Sequence, residues 1–198
     1  MRKKSHICLG RYIADSFSSP ESQDHRLAFV VGNVLPDCKP SFLYRRHDFS
    51  GTLSLFERSV RSLADSRTSM MDSTMYWTRL GEALHLCADY FTYPHNKIFR
   101  GGFNEHNAYE EDLKNCFREY VRSGKAAGEA GADIHFHSAE EIVDYVRLRH
   151  GQYLLEPAFT VQTDSRYIAE VCRQVAQGIC ALYQESRIVC IPAALSGV

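Results

Sequence analysis

Histidine and carboxylate residues recur at helical spacing in the middle of the chain. His85 and Asp89 lie four positions apart, and His106 and Glu110 repeat the pattern further on. On a helix, residues four apart share a face, with Cβ atoms roughly 6 Å apart, so each pair can direct an imidazole nitrogen and a carboxylate oxygen at one ion. Imidazole and carboxylate without thiolate are typical of a catalytic site for zinc or another divalent first-row metal. Each pair alone is also compatible with a surface ion pair.

A proline and a third histidine follow the first of these pairs. Pro94 disfavours helical geometry at Tyr93, so we expect the helix to bend or end there. Such a bend would direct His95 toward the pocket of His85 and Asp89. Two His/carboxylate pairs joined by a Pro-His bend favour a shared metal site over two unrelated surface pairs.

Segments upstream of these pairs carry residues of the same kinds. Asp37 follows Pro36 after an apolar stretch, a position where a carboxylate is also common as a turn residue. His47 lies further along, within Arg45-Arg46-His47-Asp48. His6 opens the first helical pattern, where a lone histidine is also frequent as a cap or a buried polar group. Each of these signals is weak by itself.

Long segments with the 3.6-residue period of a helix hold these residues. A first helix opens near Ser5, and Ser138-Ala-Glu-Glu141 is typical of a capped helix start. Alternating strand patterns are nearly absent. We therefore predict an all-α, single-domain multi-helix bundle of six or seven helices over residues 1–198, in which 124–131 is a connector of ordinary length. The other predicted helices cover 22–35, 53–63, 73–93, 104–122, 138–155 and 164–189.

Composition excludes several classes of protein. The chain has 23 Lys+Arg against 24 Asp+Glu, so it lacks the basic excess of proteins that bind nucleic acid by neutralising phosphate. Its apolar stretches are too short to span a bilayer. The N-terminal Met-Arg-Lys-Lys-Ser-His leads into no long apolar run, which predicts a cytoplasmic protein without a secretory signal. Seven cysteines without a CxxC pair predict reduced thiols.

In their order along the chain, these motifs resemble the zinc-dependent phospholipase C family, to which the fungal single-strand-specific nucleases are structurally related. The resemblance implies an all-α fold with three zinc ions clustered in a cleft. It also implies a phosphodiester hydrolase that uses a zinc-activated water on a phospholipid headgroup or a soluble phosphodiester. It runs from about residue 5 to 111 and rests on His6, Pro36-Asp37, His47, His85-xxx-Asp89-xxxx-Pro94-His95 and His106-xxx-Glu110.

The resemblance implies a ligand set for each ion. Asp89 would bridge the first zinc to a third zinc, which His6 also binds. Asp37 would orient or deprotonate the attacking water. The first zinc would be surrounded by Asp37, His47, His85 and Asp89, and the second by His95, His106 and Glu110.

The third zinc site departs from the family pattern. Secreted members expose a mature N-terminal Trp, whose amine and carbonyl oxygen chelate that metal, whereas this chain begins with Met1. We expect Met1 to be retained because the bulky Arg2 hinders its excision, and its amine and carbonyl to take the role of the Trp. The expected content is therefore two to three zinc ions.

Residues near His47 are candidates for binding substrate. Arg45 and Arg46 lie between two expected ligands and could clamp a phosphate, although ordinary surface arginines fit that position too. Tyr44 belongs to a dense set of aromatic residues that suits a quaternary ammonium group or a nucleobase. His150 lies among charged residues, and we expect it at the surface.

Two other functions fit parts of the pattern. HD-domain phosphohydrolases are also all α and use a His…His-Asp…Asp metal set, in which Asp48 would be a ligand and Glu110 incidental. Alternatively, the zinc ions would stabilise an inactive scaffold that binds another protein, with coordination filled by protein ligands. The phospholipase-like interpretation is favoured because it uses all of the ordered motifs.

Overall fold

The computed structural model describes residues 1–38, 48–65 and 71–189. Two short 3-10 turns, Pro36–Cys38 and Tyr93–His95, accompany the α-helices, and the described residues form no strand. The prediction of an all-α fold is confirmed. The nine α-helices of the described ranges are α1 (Lys3–Ser16), α2 (Pro20–Asp24), α3 (Arg26–Gly32), α4 (Phe49–Ala64), α5 (Ser73–Tyr90), α6 (Phe103–Arg122), α7 (Lys125–Gly128), α8 (Ala139–Tyr153) and α9 (Val161–Val189).

The helix count exceeds the predicted six or seven for two local reasons. The segment expected as one helix over 22–35 is two helices that meet at His25, because α2 starts early at Pro20 behind a Ser19 cap. In addition, residues 124–131, which the sequence predicts to be a connector, contain the short helix α7. Gly124 precedes α7 with a φ of 78°, a left-handed conformation that glycine adopts at low cost.

Helix α5 is the central helix of the bundle. Twelve of its 18 residues are buried, because it is apolar around most of its circumference and packs against α3, α4 and α9. The Asp72 carboxylate caps its start by accepting a hydrogen bond from the Met75 N–H at 2.7 Å. His85 and Asp89 therefore lie inside the core rather than on a solvated face.

Two glycines allow α3 and α5 to cross at close range. A Cβ on Gly32 would lie 2.0 Å from a carbonyl oxygen of α5, and a Cβ on Gly81 would lie 2.3 Å from a carbonyl oxygen of α3. No larger residue fits at either position unless the helices separate. The crossing places the Asn33 carbonyl oxygen, directly after α3, 2.9 Å from His85 Nδ1.

Two expectations from composition concern the cysteines and the membrane. All six cysteines in the described ranges are free thiols. Within those ranges, no helix combines the length and apolar character needed to cross a bilayer. The cytoplasmic location and the single domain over 1–198 stay predictions.

Candidate metal centre

Three buried side chains meet between α1 and α5, and we call them the inner group (His6, His85 and Asp89). The rings of His6 and His85 stack with centroids 3.8 Å apart. Asp89 places Oδ1 3.4 Å from His6 Nε2 and Oδ2 3.5 Å from His85 Nε2. One ligand atom from each residue lies within 4.8 Å of the others. Ligands that bind one zinc ion at about 2 Å lie at comparable separations.

A backbone carbonyl sets the orientation of His85. The Asn33 carbonyl oxygen can only accept a hydrogen bond, so the 2.9 Å contact places the ring proton of His85 on Nδ1. The lone pair on Nε2 then faces Asp89 and Asp37, whose Oδ1 is 3.6 Å away. The Asp37 side chain is 21% exposed. Asp37 therefore joins the inner group from its solvent side.

A second set of ligand atoms lies between the Tyr93–His95 turn and the start of α6, and we call it the outer group (His95, His106 and Glu110). His95 Nε2 and His106 Nε2 lie 3.1 Å and 3.3 Å from Glu110 Oε1. The His106 side chain is 33% exposed, whereas that of Glu110 is 11% exposed. The pocket therefore opens to solvent on the His106 side.

Asp89 connects the inner and outer groups. Its Oδ2 is 3.4 Å from His95 Nδ1, and its Oδ1 accepts a hydrogen bond from the Met1 ammonium at 2.7 Å. The same ammonium nitrogen lies 3.3 Å from Glu110 Oε1. The two groups thus form one pocket, with the Asp89 carboxylate between them.

Burial and neighbouring charges shift the pKa values of these residues. Burial lowers the pKa of His6 to about 3 and also lowers the pKa of His85. Both rings are therefore neutral at pH 7, the form that binds metal. Burial acts to raise the pKa of Glu110, but hydrogen bonds from His106 and His95 hold it well below its usual range.

The residues of the pocket fit zinc in two respects. The His6 side chain is fully buried, and its Nδ1 makes no hydrogen bond among the described residues. Such an unsatisfied lone pair is costly unless another partner is bound. The space between Asp89 and Glu110 also favours positive charge, because the Met1 ammonium lies there. Nitrogen and oxygen donors without thiolate match zinc chemistry.

Asp164 on α9 positions the outer group, and the sequence analysis missed it. Its Oδ2 accepts hydrogen bonds from the Tyr93 N–H and the Tyr109 hydroxyl, both at 2.9 Å. Its Oδ1 accepts another from the Tyr153 hydroxyl at 2.8 Å. Asp164 thereby ties the turn that carries His95 to the helix that carries the other outer ligands. No motif surrounds Asp164, because its partners come from distant parts of the chain.

The prediction of a surface position for His150 is wrong. The residue is 6% exposed and its ring stacks on Phe49 with centroids 3.9 Å apart. Its Nε2 lies 2.9 Å from Asn96 Oδ1, and the Asn96 amide donates to two backbone carbonyls just before the turn. His150 therefore supports the residue that directly follows His95. Charged neighbours in the sequence are misleading here, because a helix alternates buried and exposed faces.

One further sequence candidate, Asp48, lies outside both groups of ligand atoms. The HD-domain alternative needs Asp48 as a ligand, but Asp48 belongs to neither group of clustered ligand atoms. Its Oδ1 instead accepts a hydrogen bond from the Gly51 N–H at 2.7 Å and caps α4. His47, Arg45, Arg46 and Tyr44 lie outside the described residues, and their roles stay predictions.

Comparison with known proteins identifies a family for the chain. No curated protein and no solved structure matches the chain. A family model described as zinc-dependent phospholipase C matches residues 5–159, which is more than half of the chain and includes every residue of the inner and outer groups. The chain therefore belongs to the zinc-dependent phospholipase C family.

Proposed function

We propose that the protein is a zinc-dependent phosphodiesterase that hydrolyses a phospholipid or a related soluble phosphodiester in this pocket. Membership of the family supports a metal-dependent hydrolase of phospholipids. The observation that carries the finer proposal is the position of Asp89. Its Oδ1 lies 3.4 Å from His6 Nε2, and its Oδ2 lies 3.5 Å from His85 Nε2 in the inner group and 3.4 Å from His95 Nδ1 in the outer group. A carboxylate shared in this way suits neighbouring cations that act on one phosphate.

Each ion has a set of residues proposed to hold it. Asp37, His85 and Asp89 would hold the first ion together with His47. The Met1 amine and carbonyl, with His6 and Asp89, would hold the third. When bound, these two or three ions neutralise the charge of the substrate and lower the pKa of coordinated water from 15.7 to about 7. The second ion is held by the outer group.

Asp37 is the proposed general base. Its carboxylate lies on the solvent side of the inner group, with Oδ1 3.6 Å from His85 Nε2. It takes a proton from water as the water oxygen bonds to phosphorus and the bond from phosphorus to the leaving oxygen breaks. The proton then passes to that leaving oxygen. The products are a phosphomonoester and an alcohol, which is diacylglycerol when the substrate is a phospholipid. Arg45, Arg46 and Tyr44 stay candidates for holding the phosphate.

Hydrolysis of a chromogenic phosphodiester by zinc-loaded, untagged protein tests the proposal. We expect Asp37→Asn to lower kcat by about 100-fold or more while the protein remains folded. Asp112→Asn, at an exposed position on α6, is the matched control and should leave kcat unchanged. Equal activity of wild type and Asp37→Asn would contradict the role of Asp37, and an absence of hydrolysis in both would favour the inactive scaffold.

The zinc content of the protein tests whether Met1 helps to hold a third ion. We expect a protein with two extra residues before Met1 to hold one zinc ion fewer than the untagged protein, because the Met1 nitrogen is then an amide that cannot bind metal. Equal zinc content in both preparations would remove Met1 from the ligand set.

A further inference from the structure

A groove on the surface between α1 and α6 is distinct from the metal centre. Its volume is about 660 Å³, which lies within the range of small-molecule sites. No residue of the inner or outer group lines it. Ile7 and Cys8 on α1 and Val121 on α6 form an apolar floor, while charged side chains from the same helices form the rim.

The rim of the groove carries uncompensated positive charge. Lys4, Arg11 and Arg118 line it and form no ion pair with any other described residue. The one carboxylate in the lining, Asp15, is already paired with Arg26. A concave surface with several cations and one neutralised acid has a positive potential that attracts anions.

Two of the rim cations lie near the apolar floor. Both Arg11 and Arg118 lie close enough to Cys8 to act on its thiol electrostatically. The lining extends along α1 from Lys4 to Asp15, which is about 16 Å at the rise of an α-helix. This length accommodates an extended alkyl chain beside the cations.

We propose that this groove binds a single anionic amphiphile, with its head group on the rim cations and its alkyl chain along the floor. Charge complementarity with Lys4, Arg11 and Arg118 selects the anionic head, and the apolar floor of Ile7, Cys8 and Val121 selects the chain. The concave shape favours one monomeric molecule over the flat surface of a bilayer. The inference is independent of the metal centre.

Protection of Cys8 from maleimide tests the site directly. We expect monomeric dodecyl phosphate to slow the modification of Cys8 in the zinc-loaded protein severalfold, because the chain covers the thiol. Cys38, an exposed thiol that does not line the groove, is the internal control and should react at an unchanged rate. Inorganic phosphate lacks the chain and dodecyltrimethylammonium has the opposite charge, so neither should protect Cys8.

Variants of the rim distinguish this site from the metal centre. We expect Arg11→Gln with Arg118→Gln to raise the calorimetric Kd for dodecyl phosphate by about tenfold or more, because charge-assisted hydrogen bonds are lost. Arg58→Gln, at an exposed position on α4, should leave the Kd unchanged. Phosphodiester hydrolysis should stay at the wild-type level in all of these variants, so a failure here leaves the proposed function intact.

Three results would overturn the proposal. The first is protection of Cys8 that persists undiminished in the Arg11→Gln, Arg118→Gln protein. The second is equal protection by the cationic amphiphile. The third is binding to vesicles of anionic phospholipid without any binding of monomeric dodecyl phosphate, which would assign the groove to a membrane surface.

Discussion

The inner and outer groups are held in place by different kinds of interaction. Inner-group side chains lie on two long helices and are between 0% and 2% exposed. Outer-group side chains lie on a short turn and the beginning of a helix, and are between 11% and 33% exposed. Close helix packing fixes the inner group, whereas hydrogen bonds accepted by Asp164 and donated by Asn96 fix the turn of the outer group. Close packing holds the inner group rigidly and excludes solvent from it. The hydrogen-bonded turn leaves the outer group partly accessible to solvent.

The largest effect should come from the glycines that bring α3 and α5 together. We expect Gly81→Ala to lower the free energy of unfolding by about 3 kcal/mol, because the new Cβ overlaps a backbone oxygen that cannot move alone. The inner group should lose zinc, since the Asn33 carbonyl moves away from His85. Gly151→Ala, whose Cβ meets nothing within 4 Å, should instead stabilise α8 by about 0.5–1 kcal/mol. Urea denaturation measures the stability of both variants. Equal stabilities of Gly81→Ala and Gly151→Ala would contradict this account.

Protonation of His150 should weaken the support of the outer group at low pH. Burial lowers the pKa of His150 from 6.5 to about 4 in the folded protein. Folding therefore favours the neutral ring, and this contribution is complete above pH 6.5 and is lost as the pH falls toward 4. Over that interval the free energy of unfolding of wild type should fall by about 3 kcal/mol relative to that of His150→Gln.

Denaturation of wild type and His150→Gln at matched pH values measures this loss. The variant keeps a donor for Asn96 but does not titrate, so comparing the two proteins at each pH cancels the titration of the metal ligands. A difference in stability that is constant with pH would contradict the prediction. The described groups that face the ring are not expected to titrate in this interval; they are Asn96, Phe49, Tyr90, Phe91 and Tyr153.

Asp164 should affect the outer group alone. We expect Asp164→Asn to lower the free energy of unfolding by about 2 kcal/mol, because an amide nitrogen replaces one of two accepting oxygens. Zinc affinity at the outer group should fall by about 10- to 100-fold. Competition with a chelator measures the zinc affinity of each group, and the affinity of the inner group should be unchanged. Asp112→Asn, at an exposed position on α6, is the control. Equal loss at both groups would show that they are not supported separately.

Asp48 should have the smallest effect, since it belongs to neither group. Asp48→Ala removes the cap of α4 and should cost about 1 kcal/mol of stability with no loss of zinc. Asp72→Ala removes a cap of the same length from α5 and is the matched control. Loss of zinc in the Asp48 variant only would favour the HD-domain alternative over the phospholipase-like one.

Helical spacing in the sequence predicts much of the fold and part of the pocket. His85 with Asp89, and His106 with Glu110, are local pairs whose geometry follows from the period of a helix. The all-α class follows from the same period. Neither inference needs knowledge of how the helices pack, which explains why the sequence suffices for them.

The sequence does not predict which apolar residues face the core. Leu27 and Val31 share an apolar segment with Phe29, yet they are 75% and 43% exposed while Phe29 is 1% exposed. Phe103, an apolar residue at the start of α6, is 81% exposed. Such outcomes depend on how whole helices pack against one another, and so do the positions of Asp164 and His150.

The position of Asp89 between the two groups has a consequence for the order in which zinc ions bind. One of its oxygens, Oδ2, lies 3.5 Å from His85 Nε2 and 3.4 Å from His95 Nδ1, so it contacts a ring of each group. An ion bound by one group would therefore hold the carboxylate in place for the other group. We expect zinc to bind to such a centre cooperatively.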